Sequence, residues 1–145
     1  LGGALARGNE SLLESYSAFA LPLGEAFQLR DDVLGVFGDP EITGKPAGDD
    51  LREGKRTELI AHALLLTSPE ERDFIQNRLG APDLSDAEVQ KLSEILQASG
   101  ALQETERSIS ELTSQSLRAL DAIEAHCLAL AGMKFLSDAV TKRSK

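Results

Sequence analysis

The sequence predicts an all-α fold, and three observations carry that expectation. Apolar residues recur at spacings of three and four along most of the chain, with no strand-like alternation and no internal repeat. Helix-start signals alternate with Gly stops. Aromatics make up only 4% of the 145 residues and Trp is absent, so the core must come from Leu, Ile, Ala and Val, which suits packed helices.

The elements follow in order. The opening LGGALARG has neither an initiator Met nor a helix cap. It reads as the tail of a helix that begins upstream, so the chain is expected to be a fragment. Asn9 or Ser11 can open a helix in which Leu12, Tyr16, Phe19, Leu23, Phe27, Val33 and Val36 keep a roughly helical rhythm. Pro22 lies inside it, as a kink or as the junction of two helices. Gly38-Asp39-Pro40 ends it, and residues 39 to 49 form a loop broken by Gly44, Pro46 and Gly48. A helix is expected from about Asp50 to Leu66. Ser68-Pro69-Glu70-Glu71 restarts the chain with an N-cap, a Pro at the first helical position and a Glu at the third; this helix stops at Gly80. Ser85-Asp86-Ala87-Glu88 is a capping box for the next, which stops at Gly100. A long helix then runs to about Ala131, its apolar face carrying Ile109, Leu112, Ser116, Leu120, Ile123, Cys127 and Leu130. A short last helix holds Met133 to Val140, and TKRSK is a basic, frayed end.

Composition bounds function. The length suits one domain with a single core, and 41% hydrophobic content favours folding over disorder. A net charge of −9 argues against nonspecific nucleic-acid binding, but a local cation cluster or a bound metal can still reverse the field for an anion. No stretch is long and apolar enough to span a membrane, and no signal peptide is evident. The single cysteine, Cys127, rules out an internal disulfide and fits a reducing cytosol. It sits in the apolar run AHCLALAG and reads as a core residue.

The informative stretch is Phe27 to Thr57, FQLRDDVLGVFGDPEITGKPAGDDLREGKRT. Gln28, Asp32, Gly35 and Asp39, spaced by four, three and four, share one helical face. Asp31 lies about 100° round from Asp32 at roughly 3.6 residues per turn. Adjacent carboxylates on a helix repel, and more so when desolvated. A hard cation removes that cost. Magnesium takes oxygen ligands, keeps several waters, and binds through one or two carboxylates plus substrate phosphate. Lys45 and Lys55 can neutralise the remaining phosphate charge. A solvated acidic helix end followed by a basic loop is the alternative. Against it, the acids are embedded between Phe27-Gln28 and Val33-Leu34. Gly44-Lys45, Gly48 and Gly54-Lys55 also set small residues beside cations or turns, which permits close backbone approach to an anion.

FQLRDD, FGDPEITGK and the pattern G-x-D-L-x-x-G-K-x-T at Gly48 to Thr57 closely resemble the second half of a trans-polyprenyl diphosphate synthase, the family of farnesyl and geranylgeranyl diphosphate synthases. The resemblance covers essentially the whole chain and is dense only at Phe27 to Thr57. It implies the C-terminal portion, residues 1–145, of a single all-α isoprenoid synthase domain, an antiparallel helical bundle. It implies a magnesium-dependent prenyltransferase, cytoplasmic and homodimeric when full length. Such an enzyme ionises an allylic diphosphate, condenses the cation with isopentenyl diphosphate and loses a proton. Asp31 and Asp32 match the second aspartate-rich motif and would bind Mg²⁺. Gln28 matches the glutamine one turn earlier and would orient phosphate or metal-bound water. Lys45 and Lys55 match diphosphate-contacting lysines, and Asp50 matches the acid between them, which positions a lysine. Gln28, Asp31, Asp32 and Lys45 together form the catalytic set. Two departures stand out. Position 35, where the family's third aspartate belongs, is Gly; Asp39 lies a turn later and could be an accessory ligand or simply a turn residue. The first aspartate-rich motif, the isopentenyl diphosphate-binding basic residues and the segment that sets product length are not in this chain, so this fragment alone is expected to be inactive. A non-catalytic regulatory subunit or a helical interaction protein of the same fold is the alternative.

His62 and His126 are lone helical histidines with structural roles expected. Tyr16, Phe19 and Phe27 read as core at helical spacing, although the resemblance also puts that face on an isoprenoid cavity. Arg7, Arg107 and Arg118 read as surface.

Overall fold

A computed structural model describes residues 10–44, 46–123 and 128–141. Among them the secondary structure is helical throughout, with no strand. The helices are α1 (Glu10–Phe37), α2 (Pro40–Thr43), α3 (Asp49–Glu53), α4 (Glu58–Leu66), α5 (Pro69–Arg78), α6 (Asp86–Ala98), α7 (Ala101–Asp121) and α8 (Leu128–Thr141). Internal contacts divide the chain into two units, one of Leu1–Gln28 with Ser108–Ser144 and the other of Leu29–Arg107.

The first unit is built around Phe19, Leu120 and Ile123, with Tyr16, Leu23 and Met133 packed against them. Pro22 neither breaks nor divides α1, which runs 28 residues through it. A proline in a helix interior leaves the carbonyl four residues back, here Ala18, without its donor and crowds that turn. At the next carbonyl, that of Phe19, the Ser116 hydroxyl donates a hydrogen bond of 2.8 Å. That bond explains a serine, fully buried, on the apolar face of α7. Phe27 is 41% exposed, contrary to the core reading. The buried stripe of α1 is Phe19, Ala26, Leu29, Val33 and Val36, and Phe27 falls about 100° round from Ala26.

The second unit is a larger apolar cluster. Leu51 of α3, Leu59 and Ala63 of α4, Ile75 of α5, Leu92 and Leu96 of α6, and Ala101 of α7 are its most buried members. Both capping boxes form as the sequence indicates: the Ser68 and Ser85 hydroxyls accept from the N–H groups of Glu71 and Glu88, and each Glu reaches back to its cap. The expected helix from Asp50 to Leu66 is instead two helices, α3 and α4. Gly54 stands between them with φ of 72°, the left-handed region that favours glycine. The turn is pressed against Gly80: a Cβ on Gly54 would lie 2.9 Å from the Gly80 Cα, and the Gly80 N–H donates to the Leu51 carbonyl at 3.0 Å.

The expected helix to Ala131 also ends early. Ile123 N–H bonds the Leu120 carbonyl at 3.1 Å, tightening the last turn, and α8 starts at Leu128, before the expected Met133. Arg7, Lys45, His126 and Cys127 lie outside the described residues. His62 pairs with Glu58 one turn earlier at 3.1 Å, a structural contact. Arg107 and Arg118 are exposed. No helix among the described residues is long and apolar enough to cross a membrane.

Candidate functional site

The acid pair sits on α1 just past a buried stripe. Leu29, Val33 and Val36 anchor this stretch, so Asp32 is half-buried and Asp31 exposed. Between stripe and acids, Arg30 makes a bidentate pair with Glu106 of α7, two bonds of 2.6 Å each. A planar guanidinium gripping both carboxylate oxygens fixes orientation as well as distance. It secures the turn of α1 that carries the acids. Gln28 is exposed on α1.

Asp50 and Lys55 are brought together. The Lys55 ammonium lies 2.5 Å from Asp50 Oδ1, with the Asp50 side chain 6% exposed and that of Lys55 41%. Glu53 stands 3.4 Å from the same ammonium. The hydrogen bond that Lys55 donates to Asp50 is the main reason that its amine is pushed above the ordinary 10.5. The loop geometry supports this pair: the Lys55 N–H donates to the Asp50 carbonyl at 3.0 Å. Asp39 is engaged differently. Its Oδ1 accepts from the Glu41 N–H at 2.9 Å and caps α2, the turn chemistry that an Asp before Pro ordinarily performs.

Gly35 has a structural counterpart. A Cβ at this position would lie 2.2 Å from Asp50 Oδ2 and 2.3 Å from its Cγ. The carboxylate of Asp50 fills the space in which a side chain at position 35 would begin.

Among the described residues no three His, Cys, Asp or Glu converge into a protein-only metal cage. Magnesium does not require one, since it is held by one or two carboxylates together with waters and phosphate oxygens. Asp31 and Asp32 fit that donor set: both are hard oxygen donors, and Asp31 is open to an approaching ligand.

Several contacts that shape this region have no local signal. Arg30 and Glu106 are 76 residues apart. Arg52 of α3 reaches Asp86, at the start of α6, and the Leu84 carbonyl at 3.1 Å. Only the run of charge in R-D-D and L-R-E-G-K hinted that these arginines were in use.

This all-α arrangement, with an acid pair on a long helix and a lysine held by a buried aspartate, matches a family with a defined chemistry. The family model described as polyprenyl synthetase matches residues 1–96, and the chain belongs to that family. The geranylgeranyl pyrophosphate synthase of Corynebacterium glutamicum, solved with isoprenyl diphosphate and magnesium, superposes with a TM-score of 0.86 at 43% identity over 92% of this chain and 38% of that one. A geranylfarnesyl diphosphate synthase of Aeropyrum pernix is 35% identical over 147 residues, 99% of this chain and 44% of the relative. A short chain isoprenyl diphosphate synthase of Methanocaldococcus jannaschii is 36% identical over 99 residues, 68% of this chain and 30% of the relative. The chain thus spans less than half the length of each.

Proposed function

We propose that this chain is the C-terminal portion of a single-domain, magnesium-dependent trans-prenyltransferase that joins an allylic diphosphate to isopentenyl diphosphate. The observation that carries the reading is the Asp31-Asp32 pair on a buried-stripe helix in the same unit as Lys55 on its Asp50 anchor. The full-length enzyme is a cytosolic homodimer in this reading, in keeping with the resemblance. The relatives named above are synthases, and no observation favours a regulatory subunit.

The chemistry needs a diphosphate to leave carbon with its electron pair. Diphosphate is a poor leaving group until its charge is balanced, and preorganised electrostatics is the largest lever on such a step. Asp31 and Asp32 would hold Mg²⁺, which supplies Lewis-acid neutralisation of the phosphate oxygens. Lys55 and Lys45 neutralise further oxygens as point charges. Asp50 keeps Lys55 charged and in place; it is a positioning residue, not a metal ligand. Gln28 orients a phosphate oxygen through its amide. Asp39 caps its helix and takes no part in ligation.

The test is a magnesium titration of the full-length enzyme. Asp32→Asn keeps the shape and removes a charged ligand, so it raises the Mg²⁺ needed for half-maximal rate, with part of the lost rate recovered at high metal. Lys45→Ala removes a diphosphate contact, and its loss does not respond to added Mg²⁺. Parental rate and metal dependence in Asp32→Asn would show the acid pair to be a solvated helix end, and the reading fails.

A further inference from the structure

Gly35 stands in the last turn of the 28-residue α1, at a helical position where glycine is less favourable than alanine. A residue kept there against propensity points to a close approach, and the approaching group is the Asp50 carboxylate. Asp50 is 5% exposed. One of its oxygens takes the Lys55 ammonium and the other faces the bare Cα of Gly35. A carboxylate 2.2 Å from a new Cβ must shift, and the same carboxylate is the one that holds Lys55.

We propose that Gly35 is a positioning residue: its missing side chain seats the Asp50 carboxylate against α1, and that seat fixes Lys55. The helix that carries the acid pair and the segment that carries the cation are thereby registered through one contact within a single unit. The value of that register for diphosphate rests on the function proposed above; the seat itself does not. An aspartate at position 35 would not simply restore a third ligand. Its Cβ enters occupied space, and its charge meets a like charge already out of water.

The experiment has two readouts on the full-length enzyme. The first is the rate at which acetic anhydride labels Lys55 at a fixed pH near neutrality, read by mass spectrometry; an ion-paired, protonated amine is protected. The second is affinity for inorganic diphosphate in the presence of Mg²⁺. Gly35→Ala is expected to raise Lys55 labelling severalfold, to the level of Asp50→Asn, with the double variant no faster than either single. Diphosphate binding weakens severalfold in all three. Displacing a buried carboxylate outweighs the helix propensity gained by alanine, so Tm should fall, while an unchanged circular dichroism spectrum shows that the helices remain. Lys55 protected in Gly35→Ala as in the parent overturns the proposal, as does an Asp50→Asn variant that labels no faster than the parent. If Gly35→Ala exposes Lys55 but the parent binds no diphosphate, the seat stands and the prenyltransferase reading falls.

Discussion

Glu88 has a strongly displaced acidity. Hydrogen bonds from the Ser85 N–H, then the Ser85 hydroxyl, then the Arg78 guanidinium, pull its carboxyl from 4.5 down to about 2. All three favour the charged form. A carboxyl depressed on folding stabilises the folded state above its unfolded value and loses that contribution as pH falls through the folded one. Glu88→Gln should therefore melt below the parent at neutral pH. The gap should hold down to about pH 4.5 and close by about pH 2. Melting curves for both proteins across that range check it, and a gap that persists undiminished at pH 2 would contradict the assignment. The capping box that places Glu88 is written in four consecutive residues, so it was legible. The Arg78 contact was not, because nothing local marks which arginine returns to the cap. Gly35 shows the same limit. The sequence shows a ligand missing from a motif; only the Asp50 carboxylate beside it shows why the space is empty.

The starts of α5 and α6, which depend on their own termini, were read correctly; α2, capped by Asp39 and Gly44, was read as part of a loop, and boundaries that depend on distant partners were missed. α5 and α6 begin where Ser68 and Ser85 say, since a hydroxyl that satisfies an otherwise unpaired N–H needs only its neighbours. The division of α3 from α4 depends on Gly80, whose N–H bonds Leu51 from across the unit. The end of α7 carries neither Gly nor Pro, so periodicity alone ran past it. At Pro22 the junction of two helices is excluded, since α1 runs through it, and the Ser116 hydroxyl adds a bond to the neighbouring Phe19 carbonyl of that turn. The caps permit a quantitative test. Ser68→Ala removes the oxygen that accepts the Glu71 N–H and the partner of the Glu71 carboxylate. It should cost about 1 kcal/mol of stability, the usual loss for such a cap, read as a lowered denaturant midpoint with an unchanged slope. Ser68→Asp, which keeps an acceptor oxygen, should recover most of it.

The whole molecule presents apolar residues to solvent where a finished globule usually would not. Leu21 is 73% exposed, Phe27 41%, Phe135 72% and Leu136 59%. Leu65 and Leu66 of α4 are exposed as well, at 78% and 49%; scattered singly such residues are ordinary, but neighbouring ones are the kind of surface on which another body would sit. In the proposed reading that body would be a further part of the synthase, which would also supply the other half of the diphosphate clamp. That reading predicts linked behaviour. The 145-residue chain should self-associate, with light scattering showing species larger than a monomer that grow with concentration. It should also fail to turn over an allylic diphosphate and labelled isopentenyl diphosphate with Mg²⁺. One acid pair and its lysines can attract a diphosphate, but ionisation of a carbon–oxygen bond needs charge balanced on both sides of the leaving group. Joining this segment to an upstream half with its own aspartate-rich motif should restore both turnover and a defined oligomer. Robust product from the chain alone would refute the two-motif clamp, and a stable monomer at high concentration would show that the exposed residues need no cover.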